Sequence, residues 1–171
     1  MSFRHVLFAT IIFASTGTVL ADARLGANID EFRSKWGRPA HEEILTRTAT
    51  LRWRRKVSHD ESFVPGAFAV EVAFLDKTAC EIVLRSYEKK NSAAIARLVQ
   101  PVLPRFRVED FATPKSDVNG IQIYQLADGT SVSVKEHRGH TIVVVKGECF
   151  MRNEDVFDRE AAKVRPPTSN H

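Results

Sequence analysis

Apolar side chains recur at every second position along six stretches of this chain, a period that dictates extended strands with one buried face. Leu51, Trp53 and Val57 alternate with Arg52, Arg54 and Lys56. Phe68, Val70, Val72 and Phe74 share one parity, as do Cys80, Ile82 and Leu84. Ile121 with Ile123, Val132 with Val134, and Val143 with Val145 complete the set. A slip of one residue would turn a whole strand inside out, so parity also constrains the loops. Pairing Phe74 with Cys80 and Val72 with Ile82 requires an odd loop, Asp76-Lys77-Thr78. Asp128-Gly129 signals a two-residue turn that sets Ile123 opposite Val134. Arg138-Gly139 then sets Val134 opposite Val143 and Val132 opposite Val145. Continued, that parity puts Cys149 on the same face as Val143.

Three other segments carry a helical period. Asn28 is placed to cap a short helix in which Ile29, Phe32 and Trp36 share a side, with Glu31 three positions after the cap. Gly37 and Pro39 stop it. A second helix starts near Asn91 or Ser92, with Ile95, Leu98, Val99 and Val102 as its stripe, and ends at Pro101 and Pro104. A third spans Asn153 to Val164, with Phe157, Ala161 and Val164 on one side. Residues 105–119 read as irregular, with a short strand at Phe106 to Val108. The order is helix, three strands, helix, three strands, helix. It predicts an α+β fold of antiparallel meanders and short helices. Two halves, about 25–86 and 91–150, pack as one unit within a domain over 22–150. Residues 151–171 form a C-terminal helix and a disordered tail.

The first 21 residues read as an address. Arg4 and His5 open it, Val6 to Ala14 is nearly all apolar, and Val19-Leu20-Ala21 offers a cleavage site before Asp22. This is the pattern of a secretory signal peptide, and the expected location is periplasmic or secreted. A membrane anchor needs about 20 apolar residues, and this run ends sooner, in Ser, Thr and Gly. The formal charge is only +4, from 25 Lys and Arg against 21 Asp and Glu, too mild an excess to argue for nucleic acid without clustering.

Few residues carry chemistry. Cys80 and Cys149, the two cysteines, fall on core faces of an exported chain. They read either as a disulfide joining the halves or as two buried thiols. Arg47, Arg52, Arg54, Arg55 and Lys56 surround Trp53. Arg52, Arg54 and Lys56 share a strand face able to meet phosphates or carboxylates; equally, such a row protects a strand edge from aggregation. Arg52, Trp53, Arg54 and Lys56 are therefore the candidate anion-binding residues. His59-Asp60-Glu61, flanked by Ser58 and Ser62, offers acid–base residue types, but adjacent residues of one loop seldom assemble a catalytic triad. His137 and His140 flank a turn and supply two of the three or four ligands a metal needs. Tyr124, Leu126, Ile142 and Val144 point away from the assigned core, so either a helix covers them or they form a patch.

The segment Leu25-Gly26, Phe32 and Trp36-Gly37-Arg38-Pro39, followed by strands, resembles the SmpA/OmlA type of small bacterial envelope domain over about residues 25–86. That resemblance implies a non-catalytic, protein-binding envelope module with an amphipathic helix ahead of a three-stranded antiparallel sheet. This chain lacks the family's lipid-bearing Cys after the leader and shows one helix where the family has two. Taken together, the reading is an exported, non-enzymatic binding protein without cofactor, its partner an envelope protein or an anionic envelope component. The alternative is a small periplasmic hydrolase using residues near His59-Asp60-Glu61.

Overall fold

The computed structural model describes residues 23–54, 63–88, 91–107, 109, 114 and 116–164, with the backbone alone at 116–118. Residues 1–21, expected to be a signal peptide, lie outside them. So do Arg55, Lys56, Val57 and the His59-Asp60-Glu61 loop.

Helix α1 (Ile29–Trp36) precedes strands β1 (His41–Ile44), β2 (Thr48–Arg54), β3 (Ala67–Leu75) and β4 (Thr78–Ser86). Helix α2 (Ser92–Val99) precedes β5 (Ser116–Val118), β6 (Ile121–Gln125), β7 (Ser131–His137) and β8 (His140–Lys146). Helices α3 (Glu148–Arg152) and α4 (Glu154–Val164) follow. All eight strands form one sheet in the order β1-β2-β3-β4-β8-β7-β6-β5. Every pairing is antiparallel. The fold is α+β.

Each half thus has four strands where periodicity predicts three. The extra strands, β1 and β5, are the sheet's edges. A short edge strand buries no face, so it leaves no alternation to read: β1 is His-Glu-Glu-Ile, mostly exposed. The strand expected at Phe106 to Val108 is absent at its described residues. Phe106 is fully buried in a turn, its N–H donating to Leu103 O at 2.9 Å.

One hydrophobic cluster runs through both halves. Helices α1 and α2 lay Phe32, Ile95, Leu98 and Val99 on the sheet face formed by Leu51, Trp53, Val72, Ile82, Val134 and Val143. Asn28 caps α1 by accepting from the Asp30 N–H at 3.0 Å, an interaction of about 1 kcal/mol. Gly37, at φ 71°, closes the helix and lets its N–H return to Arg33 O. Phe32 then sits fully buried amid Trp36, Trp53 and Phe74, with ring centroids 5.0–6.2 Å away.

Two hairpins depart from the parity argument, in opposite senses. The β3–β4 connection is the two-residue turn Asp76-Lys77, both at positive φ, with Leu75 paired to Thr78. The odd residue appears as a bulge instead. Val72 does pair with Ile82, but Phe74 faces Ala79. Cys80 is thereby turned to the opposite face. Between β6 and β7 the connection is Ala127-Asp128-Gly129, with Leu126 N–H bonded to Thr130 O and Gly129 at φ 83°. This odd loop ends on a left-handed glycine. It slips β6 by one residue, so Tyr124 pairs with Val132 and is buried in the core, while Ile123 faces Ser133. Asp128 favours that loop, accepting from both the N–H and the hydroxyl of Thr130. The Arg138-Gly139 turn gives the expected register throughout β7–β8.

Among the described residues, the second sheet face is covered at one end. There α3 and α4 bring Phe150, Val156 and Phe157 over Leu75 and Cys80. The chain leaves β8 at Gly147 and turns into α3, so Cys149 arrives on this face rather than beside Val143. The Cys80–Cys149 disulfide forms here, with Cα atoms 5.3 Å apart. Helix α4 buries Glu160, which accepts from the Thr46 N–H at 3.1 Å; Ala161 and Val164, read as sharing a side with Phe157, are exposed. Of the apolar residues assigned to this face, Ile142 is buried between Arg85 and Lys135 on the flanking strands.

At the same end Arg47 clamps the β3–β4 turn, donating to Asp76 at 2.6 and 3.2 Å. That hydrogen bonding, helped by the Arg47 charge against some desolvation, holds the Asp76 carboxyl below its ordinary pKa. A depressed carboxylate adds stability above its unfolded-state pKa and loses it as pH falls through the folded-state value. In Arg47→Met, the Asp76 carboxyl titration followed by NMR should move up into the ordinary carboxylate range. A midpoint that stays put would show that Arg47 is not the cause.

Candidate functional site

At its other end, among the described residues, the second sheet face holds a concavity of about 810 Å³. Register explains its shape. Arg54 and Arg85 both pair with Ala69, one from each side, so two long side chains flank a methyl floor. Their Cα atoms are two strand spacings apart, about 10 Å. Arg52 and Glu71, a directly opposed pair, form the next rung. Arg52 Nε donates to Glu71 Oε2 at 2.7 Å and its Nη2 to Oε1 at 3.4 Å, so this guanidinium is already engaged. Arg54 and Arg85 have no ion-pair partner among the described residues.

The rear wall is aromatic. A bulge between Ala67 and Ala69 turns Phe68 out of the core and onto this face. Its ring stacks on Tyr87, centroids 4.3 Å apart at 23°. His140 meets both rings edge-on at 5.4 and 4.9 Å. The platform is anchored from behind. Ser86, fully buried, donates its hydroxyl to Gly66 O at 2.7 Å and accepts from the Glu88 N–H at 3.0 Å. The Thr141 hydroxyl donates to Glu88 O at 2.7 Å. Gly66 has φ 84°, a backbone conformation that L side chains rarely adopt, so a substitution there is strained. Tyr87 itself remains 69% exposed.

Of the four candidate anion-binding residues, Arg52, Trp53 and Arg54 border this hollow, Trp53 from beneath, within the strand that floors it. Lys56 lies outside the described residues. Trp53 is not on the surface: its side chain is 1% exposed on the helix-covered face, and its Nε1–H donates to Gly37 O at 3.1 Å. Strand parity separates it from its arginine neighbours, and it belongs to the core. Arg85, Glu71, Phe68 and Tyr87 were not singled out. Arg85 had a signal, since it alternates with Leu84 on β4, but only sheet pairing places it beside Arg54. Phe68 carried the wrong signal, because a bulge reverses its parity.

His137 and His140 are a directly opposed pair across the β7–β8 turn. Among the described residues, no group of three or more His, Cys, Asp or Glu is placed to hold a metal. The His140 ring is engaged with the aromatic wall. Among the described residues, no helix is long and apolar enough to cross a membrane. Comparison with known proteins returns no match to a family model, a curated protein or a solved structure.

Proposed function

We propose that this protein is exported to an oxidising compartment, the periplasm or the extracellular space, and there acts as a non-enzymatic binding module for an anionic component of the cell envelope. The observation that carries this reading is the concavity in which Arg54 and Arg85, without described ion-pair partners, face each other across Ala69 in front of an aromatic wall. Guanidinium groups match carboxylate and phosphate geometry and bind them bidentately. A paired row protecting a strand edge would not need a hollow between the second and fourth strands of an eight-stranded sheet. Export is supported by the leader pattern of residues 1–21 and by the Cys80–Cys149 bond, a type that persists in oxidising compartments. The resemblance of residues 25–86 to SmpA/OmlA envelope domains supports the same class of role.

The test is binding of the purified, oxidised protein to three anionic probes: an oligogalacturonate, an oligoglutamate peptide and phosphatidylglycerol vesicles. The control for lost charge is Arg152→Ala/Arg159→Ala, whose two arginines are paired on α3 and α4. Arg54→Ala/Arg85→Ala should weaken binding of at least one probe by about 100-fold, taking about tenfold per charge-assisted contact. The control should leave it nearly unchanged. Equal losses in both variants would reduce the reading to nonspecific charge attraction.

A further inference from the structure

We infer that the ligand of this concavity is an acidic saccharide, a pyranose chain bearing carboxylates; the inference rests on the anion-binding reading above and specifies its chemistry. Three features of the hollow select among anions. The first is Glu71. A carboxylate held in the wall by Arg52 offers acceptor oxygens, which a ligand rich in hydroxyl donors satisfies and a phosphodiester group, having no donor of its own, does not. A sugar brings hydroxyl groups that donate to Glu71 while its own carboxylate meets Arg54 and Arg85. Arg52, bound to Glu71 by two hydrogen bonds, holds that acceptor in place.

The second is Tyr87. Phe68 stacks on the ring and His140 meets it edge-on, yet 69% of the residue remains exposed. A ring backed on one side and open on the other is a preformed platform. The negative aromatic face suits the polarised C–H groups on the flat side of a pyranose. The third is the location on a sheet face. Of the strands beneath, β3 and β4 are paired on both sides along the hollow, and β2 is paired with β1 as far as Arg52. An acidic peptide seeking strand addition would find no free backbone on β3 or β4. The volume of about 810 Å³ falls within the range of about 300–1,000 Å³ typical of small-ligand clefts, enough for a few sugar units.

The experiment is isothermal titration of the oxidised full chain with oligogalacturonate, with its methyl-esterified and so uncharged counterpart, and with oligoglutamate. Wild-type protein should bind the acidic sugar, and esterification should weaken binding by about tenfold or more. Tyr87→Ala should weaken the sugar by about tenfold but leave any oligoglutamate binding unchanged, since stacking is lost and charge is not. Tyr87→Phe should retain sugar binding, which separates loss of the ring from loss of the hydroxyl. Thermal unfolding of each variant verifies the fold, and Tyr87 is exposed enough to be replaced without cost to the core. Equal affinity for oligoglutamate, with no effect of Tyr87→Ala, overturns the saccharide inference while the anion-binding reading stands. If neither acidic probe nor phosphatidylglycerol vesicles bind, and Arg54→Ala/Arg85→Ala changes nothing, both fall.

Discussion

Removing the Cys80–Cys149 disulfide, as Cys80→Ser/Cys149→Ser or by reduction, is expected to lower stability by about 4 kcal/mol. The bond closes a loop with 69 residues of sequence separation, and chain entropy over a loop of that length gives about this value. For a domain of this size the midpoint of thermal unfolding should fall by roughly 10 °C. The loss should also be localised. Helices α3 and α4 rest on a cluster whose buried members are only Leu75, Cys80 and Phe150. Around it lie the Lys146 ammonium over the Phe150 ring and the Glu160 bond to Thr46. So small a cluster cannot repay the ordering of two helices by itself. Amide exchange in α4 should therefore accelerate before exchange in the central strands β4 and β8. Scanning calorimetry of oxidised and reduced protein measures the first effect, and hydrogen exchange the second. A midpoint unchanged on reduction would show that the bond contributes no net stability.

Trp53→Ala is expected to cost about 3–5 kcal/mol, the range for an aromatic side chain removed from a packed core. The deletion opens a void beside Phe32 and Trp36, whose centroids lie 6.2 and 5.3 Å from Trp53. It also strips the Gly37 carbonyl, at the end of α1, of its indole donor. Arg52→Ala, one residue away, should cost under about 1 kcal/mol, because its pair with Glu71 is partly solvated. Denaturant unfolding of the two variants compares them directly. The contrast also separates stability from binding: folded Trp53→Ala protein should bind the acidic probe like wild type. If Trp53→Ala were well folded and defective in binding, the placement of Trp53 in the core would be wrong.

The elements legible from the chain were those that bury one face over several residues. Asn28, Phe32, Trp36 and Gly37 define α1 to the residue, because cap, stripe and stop agree. The β7–β8 hairpin was legible in full, since Arg138-Gly139 allows one short turn and both strands alternate cleanly. Strands β1 and β5 were not, because three or four residues at an edge show no period. Asn119-Gly120, both at positive φ, is the local turn signal that points to β5. The candidate site was half legible. Arg52 and Arg54 stand out on β2, but the residues that make a hollow of them come from β3, β4 and β8.

Local chemistry sufficed for the class of fold, for the helix that opens it, and for an arginine row on the face opposite Trp53. Those properties depend on neighbours a few positions apart along one chain, where spacing and side-chain type carry the information. Which face Cys80 and Tyr124 occupy depended on where each hairpin placed its odd residue, in the turn or in a bulge, and the face of Phe68 on a second bulge at the far end of β3. The choice falls to packing of the assembled sheet, where helices cover one face, a disulfide-bound strap takes one end of the other, and the arginines and aromatic rings meet at its opposite end.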